Sequence, residues 1–262
     1  MNYSFMSFSC PDASLPELLK NAKSFGYAGI EPRVEAGHIH GIELDMPAEK
    51  IQEVRDLCME AGVEIACLAT SCVLADPEKA GPQIERTASY LRLGGQIGAR
   101  TLRIFGGGFP KEVTREQAME TLIASLRTLA PEAAEHGPLL CLETHDSWRD
   151  ARDVKKVMEA VDHPAVGVNW DIMHPVNGNF QTVEEAYLLL KPWIRHVHVH
   201  DGGIREGKLQ FLPIGTGDVD HRTAIRLLKA DGYAGYLSGE WINWEPWDVH
   251  LPREISVMKS YE

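Results

Sequence analysis

The chain has 262 residues, 44% of them hydrophobic and 24% charged, which is ordinary for a soluble globular protein with a sizeable core. A formal net charge of −12 argues against nucleic acid and anionic membrane surfaces as partners and leans toward a small-molecule substrate; a homo-oligomer is left open. The five cysteines (Cys10, Cys58, Cys67, Cys72, Cys141) form no CxxC pair, and their odd number argues against a disulfide framework, so reduced thiols in the cytoplasm are expected. The opening MNYSFMSFSCPDAS has no basic leader, and no run approaches the ~20 apolar residues of a membrane span.

From one end to the other, short β-rich runs alternate with amphipathic stretches, without a linker or low-complexity break. The candidate strands are YSFMSFS (3–9), GIEPRV (29–34), VEIACLAT (63–70), TLRIFGG (101–107), PLLCLETH (138–145), VGVNWDIMH (166–174), IRHVHVHD (194–201) and GYLSGEW (235–241). Helical patterns lie between them, among them SLPELLKNAKSF, PAEKIQEVRDLCMEAG and REQAMETLIASLRTLAPEAAEHG, and several end in glycine as helix C-termini prefer. Strict strand–helix alternation implies a parallel sheet. Eight units in this length predict an α/β fold, a single closed (β/α)8 TIM barrel domain over residues 1–262; an open doubly wound sheet, which more often has about five or six strands, is the alternative. Helix content after the last strand is expected to be thin, because PWDVHLPREISVMKSYE carries two prolines.

In such a barrel the reacting groups belong at the carboxyl ends of the strands, and acids and imidazoles concentrate there. Alternation puts His196, His198 and His200 on one face of the seventh strand, with Val197 and Val199 on the other. The same parity separates Cys141, Glu143 and His145 from Leu140 and Leu142. It separates Gly167, Asn169 and Asp171 from Val168 and Trp170, and Ser238 and Glu240 from Leu237 and Trp241. Four strands therefore deliver Glu143, Asp171, His198 and Glu240 to one mouth. Three carboxylates packed together repel one another and lose hydration, so a cation is their natural partner. Three oxygens and one imidazole suit a single divalent metal, Mn²⁺ or Mg²⁺, with Co²⁺ or Zn²⁺ as alternatives.

The strand endings LETH, NWDIMH, HVHVHD and GEW, taken together, resemble the sugar isomerase and epimerase superfamily with a xylose isomerase-like barrel. That superfamily also contains ketose 3-epimerases, hydroxypyruvate isomerase, inosose and dehydroshikimate dehydratases, and endonuclease IV. The resemblance covers nearly the whole chain. It implies that Glu143, Asp171, His198 and Glu240 are the metal ligands and that His174, three residues after Asp171, holds a substrate oxygen. It also implies an arginine on the loop after the metal histidine, for which Arg205 is the candidate, a solvated loop charge being the other reading. His200 is expected to line or buttress the mouth, and His196 to be packed one layer deeper.

What the resemblance implies is a metal-dependent isomerase or epimerase of a small sugar or related polyhydroxy carbonyl compound. Such an enzyme works through an enediolate, with Glu143 and Glu240 as the acid/base pair. A dehydratase or lyase sharing the first half-reaction is the alternative, with His145, His200 and Arg205 as the groups near a leaving oxygen. An endonuclease IV-like nuclease fits poorly, because Phe105 stands where a histidine is expected and the loop after His198 lacks Asp-x-His. A non-catalytic sugar-binding barrel would be expected to lack at least one of the four endings, and all are present. Glu31, Arg33, His38 and His40 are expected nearer the surface or behind the site than in the chemistry. The glycines of FGGGFP and GTG (215–217) suit either a phosphate cradle or tight loops.

Overall fold

A computed structural model describes residues 1–262. Its elements in chain order are β1 (Asn2–Met6), α1 (Leu15–Phe25), β2 (Gly29–Glu31), α2 (Ala48–Ala61), β3 (Glu64–Ile65), β4 (Cys67–Val73), α3 (Ala80–Ile97), β5 (Thr101–Phe105), α4 (Arg115–His136) and β6 (Leu139–Glu143). They continue with α5 (Ala151–Val161), β7 (Val166–Asp171), α6 (Met173–Asn177), α7 (Val183–Leu190), β8 (Ile194–Val199), β9 (Asp201–Arg205), β10 (Lys208–Leu212), α8 (His221–Ala230), β11 (Tyr236–Gly239) and α9 (Trp247–Lys259).

Local sequence sets where the helices begin. Ser14 with Glu17, Thr114 with Gln117 and Thr182 with Glu185 form capping boxes that occupy the otherwise free amides at the starts of α1, α4 and α7. The apolar stripes do the rest: on α5, Val154, Val157, Met158 and Val161 are buried at helical spacing, each worth roughly 1.5–3 kcal/mol against the sheet.

Nine parallel strands run in the order β3-β2-β1-β11-β8-β7-β6-β5-β4. Since β3 and β4 are one stretch of chain interrupted only at Ala66, the two ends of that order meet and the sheet all but closes as a barrel. The seam is short of ladder bonds, with Arg33 bridging Ala69 and single amide bonds from Ala66 to Ile30 and from Val34 to Ala69. Arg33 itself reinforces it: its buried guanidinium donates to the carbonyls of Val34 and Ala69 and to the Ser71 hydroxyl. His40 adds a bond to the Arg33 carbonyl and accepts from the Ile42 amide. Two of the residues expected behind or beside the site thus close the barrel wall.

Leu68, Leu102, Ile104, Leu140, Leu142, Val168, Trp170, Val197 and Leu237 are all fully buried under the helices, as their parity requires. The opposite face carries polar groups into the barrel, where Ser4, Glu31, Arg103, Glu143, Asn169, Asp171, His196, His198 and Ser238 are buried.

One expectation needs revision. The region after the last strand is not thin in helix, for α9 runs 13 residues with Pro252 inside it. Burial of Leu251, Ile255 and Met258 offsets the one backbone bond that proline removes. The chain after β8 folds into the antiparallel hairpin β9–β10 with Asp201 opposite Leu212.

His250 on α9 is buried against Trp241 and Trp244 at ring distances of 5.0 and 5.5 Å. Burial, with Arg253 nearby, depresses it from 6.5 to about 4, and burial does the same to His40. The unfolded chain then takes up these protons before the folded one, so their contribution is complete above pH 6.5 and is lost as pH falls toward 4. Urea titrations should show stability dropping across that window by on the order of 2 kcal/mol per histidine. His250→Phe should flatten part of the drop while leaving stability at pH 7 nearly unchanged.

Candidate active site

Strand register assembles the site. Glu143 ends β6 opposite Asn169, Asp171 ends β7 opposite His198, and His198 on β8 lies opposite Ser238, two residues before Glu240. Ligand-type atoms of Glu143, Asp171, His198 and Glu240 all fall within 4.8 Å of one another, and all four residues are buried. Glu240 is the outermost, with its side chain 10% exposed against 0% for His198 and Glu143.

His198 is the centre of the cluster. Its Nε2 bonds Glu31 Oε1 at 3.0 Å, while Nδ1 stands 3.2 Å from Glu143 Oε1 and 3.0 Å from Glu240 Oε2. Glu31 is wholly buried and also accepts from His196 Nε2 at 2.9 Å, so one carboxylate holds two imidazoles. With the Nε2 proton committed to Glu31, the neutral ring would aim its Nδ1 lone pair at two carboxylates. That arrangement calls for a positive charge at the centre, either a proton on Nδ1 or a cation beside it.

The electrostatics follow. Burial opposes charge on His198, yet Glu31, Glu240 and Glu143 hold it well above the ordinary imidazole value. Burial would raise Glu240, but His198 and Arg103 bring it down to about 2. Asp171 is likewise held far below the usual carboxylate range against its burial, by His174 and His200. Its Oδ2 accepts from His200 Nε2 at 2.8 Å, and its Oδ1 accepts the amides of Met173 and His174 at 2.8 and 3.2 Å. Asn169 Oδ1 is buried with no hydrogen-bond partner, whereas Glu143 Oε2 has the Arg103 guanidinium at ion-pair distance, 3.2 Å. An oxygen-rich donor set with an unsatisfied oxygen beside it fits a hard divalent ion.

The other predicted residues fall into two groups. His145, His174 and His200 make a row beside Asp171, with ring distances of 4.3 Å between the first two and 5.8 Å between the last two. Phe105 flanks the row at 4.8 Å from His145, and Phe211 of the hairpin lies 5.4 Å from His200. Burial disfavours charge on His145, but its bond to Asp146 and the charge of Glu143 raise it to about 9. Arg205 is not brought to the site. It lies exposed on the hairpin, with both terminal nitrogens on the Asp218 carboxylate at 2.7 and 2.8 Å. His38 bonds Ser7 Oγ at 2.8 Å near Phe8, apart from the quartet's contacts.

The amides of the GTG cluster are already taken. Gly215 and Gly217 donate to Asp201 Oδ2 at 2.8 and 3.0 Å, and Gly202 and Val219 donate to Oδ1, so the GTG nest already holds an internal anion. A Cβ at Gly217 would collide with that carboxylate, which is why the position is bare. In the other cluster Gly106 packs against Trp148, whose Nε1 donates to the Gly107 carbonyl.

Residues 19–261 match the family described as the xylose isomerase-like TIM barrel. The chain belongs to that family. Inosose dehydratase from Clostridium perfringens is 28% identical over 154 residues, 51% of this chain and 50% of its own, so the match spans about half the length of that relative. The 3-oxo-isoapionate decarboxylase of Pectobacterium atrosepticum is 23% identical over 211 residues, covering 78% of this chain and 70% of its own. Among solved structures, D-psicose 3-epimerase in the presence of D-fructose aligns with a TM-score of 0.81 at 13% identity, over 100% of this chain and 99% of the other. At that identity the likeness establishes the fold alone.

Within this family barrel, Arg103 is the participant that the sequence does not single out, while Glu31, expected at the surface or behind the site, stands behind it and holds His196 and His198. A signal existed for each. Glu31 ends a strand with inward parity, and Arg103 is a lone cation inside an otherwise apolar central strand, where burial demands a partner. Removing Glu31 leaves two buried histidines without their acceptor, so Glu31→Ala should cost about 3–5 kcal/mol in chemical denaturation. Glu31→Gln should cost clearly less, because its amide still accepts from one ring. Equal losses would mean that Glu31 acts only by filling space.

Proposed function

We propose that this protein is a metal-dependent isomerase or epimerase of a small, sugar-like polyhydroxy carbonyl compound. The observation that carries the reading is the approach of Glu143 and Glu240 to the same nitrogen, His198 Nδ1, from β6 and from the end of β11. Strands β7 and β8 separate those two in the barrel, so the carboxylates come in from opposite flanks.

Glu143, Asp171, His198 and Glu240 would hold one divalent ion, and the donor set suits Mn²⁺ or Mg²⁺, with Co²⁺ or Zn²⁺ as alternatives. Such an ion supplies Lewis acidity toward a carbonyl and its neighbouring hydroxyl. The chain's own residues then handle the proton. One glutamate removes it from the hydroxyl-bearing carbon next to the carbonyl, and the other returns a proton to that carbon of the enediolate on its opposite face. Glu240, at the rim and kept ionised by His198, suits proton removal. His145, His174 and His200, in a row beside Asp171, would position the remaining hydroxyls. Phe105 and Phe211 flank them and limit water.

A dehydratase or lyase of the same substrate class is the second reading, and the curated relatives favour it. The two that cover the largest shares of this chain are named a dehydratase and a decarboxylase.

Chelation should abolish turnover of the first active sugar found, and Mn²⁺ or Co²⁺ should restore it; full activity in verified metal-free protein would sink the proposal. Asp171→Asn and His198→Ala should weaken Mn²⁺ binding while the barrel stays folded. Glu240→Gln should slow turnover on the order of 10²-fold or more. In D₂O, an isomerase acting through two separate faces places deuterium at the inverted carbon with no change of skeleton. A product lighter by water and unsaturated would select the dehydratase.

A further inference from the structure

Arg103 belongs to none of the roles assigned so far, and its placement is unusual. It stands in the middle of β5 with 1% exposure, inside the barrel and beneath the carboxylate cluster. A buried ion pair can commonly be replaced by apolar side chains without loss of stability, so stability alone does not account for a guanidinium here.

Its surroundings hold it at three points. Nη1 donates to the Thr70 carbonyl at 2.8 Å, the guanidinium lies over the Phe105 ring at 4.1 Å, and Nε stands 3.2 Å from Glu143 Oε2. Thr70 returns a bond from its hydroxyl to the Arg103 carbonyl at 2.9 Å, so the two residues tie β4 to β5 twice. The cation faces one oxygen of one glutamate, at ion-pair distance and without hydrogen-bond geometry.

That oxygen is the one Glu143 does not turn toward His198. Oε1 faces His198 Nδ1 and Oε2 faces Arg103, so each oxygen of the carboxylate has its own cationic or imidazole neighbour. A carboxylate held at one oxygen only can swing and present both to a cation. Glu240 is in that position, with His198 as its sole ion-pair partner and a partly exposed side chain.

We propose that Arg103 is a positioning residue: it holds Glu143 so that a single oxygen faces the metal, leaving Glu240 as the mobile member of the pair. The inference rests on the metal-site reading above. It assigns Arg103 an effect on the metal that passes through its contact with Glu143, since Glu240 feels the guanidinium only at longer range. A single-oxygen Glu143 also keeps coordination positions free for the two substrate oxygens.

The test is Mn²⁺ affinity of the full-length protein, read from the electron paramagnetic resonance signal of unbound Mn²⁺. The comparison uses Arg103→Met and Arg103→Lys alone and in Glu143→Gln and Glu240→Gln backgrounds. Each Arg103 substitution alone should weaken Mn²⁺ binding by about 10-fold or more. The loss should shrink to less than about 2-fold in the Glu143→Gln background and persist in the Glu240→Gln background, the non-additivity expected of residues acting as one unit. Arg103→Lys keeps the buried charge but cannot span Thr70 and Glu143 together, so it carries the comparison should Arg103→Met not fold. Unchanged or tighter binding in the single variants, or equal losses in both backgrounds, would overturn the role of Arg103 while leaving the metal site intact. A wild-type protein that binds no Mn²⁺ would overturn the metal reading, and Arg103's role with it.

Discussion

Everything at the mouth of this barrel depends on holding several carboxylates together in a place that water does not reach. At 4.8 Å, the outer limit of the quartet's spacing, two like charges repel by about 3 kcal/mol even at an effective dielectric near 20. Glu31, Glu143, Asp171 and Glu240 all crowd around two histidines of β8 and the row beside them, with Arg103 the only guanidinium in ion-pairing distance. The fold tolerates this only because each oxygen is given a cationic or N–H neighbour, or is left facing a position that a metal ion suits.

His196 and His198 of β8, with His200 just beyond the strand, show how closely spaced residues of one kind divide that work. All three use Nε2 on a carboxylate: His196 and His198 share Glu31, and His200 takes Asp171. Only His198 turns its other nitrogen toward Glu143 and Glu240, while the Nδ1 atoms of His196 and His200 have no partner. Alternation along a strand puts the three on one face, but depth in the barrel distinguishes them. His196 belongs to the layer below the cluster, and His200 to the mouth.

The barrel was legible because its signal is repetitive: eight apolar runs with inward polar parity survive errors of two or three residues at any boundary. The quartet was legible for the same reason, as each member lies at or beside the carboxyl end of a strand whose other face is apolar. What escaped depends on contacts across the barrel. Glu31 lies 165 residues from His196 and 167 from His198, and nothing local to GIE announces two imidazoles waiting above it. Arg205 was the candidate for the arginine that the family resemblance implies after the metal histidine, but the hairpin turns it outward to Asp218, as a solvated loop charge. The glycines of GTG suited either a phosphate cradle or a tight loop; their amides do hold an anion, but it is Asp201 of the same chain. The final helix was underestimated because proline counts as a breaker in sequence, whereas a buried face can carry one.

Asp201 gives the hairpin an economy of attachment. One buried carboxylate, immediately after the strand bearing His198, gathers amides from Gly202, Gly215, Gly217 and Val219, so both feet of the excursion are clamped at a single point. The chain between the feet is free of that obligation. Its length and sequence can drift, and with them the aromatic surface that Phe211 offers beside His200, while the register of β8 and the depth of His198 stay fixed. A barrel built this way can change what it admits without re-deriving how it reacts, which is one physical route by which a single arrangement of carboxylates and imidazole comes to serve different substrates.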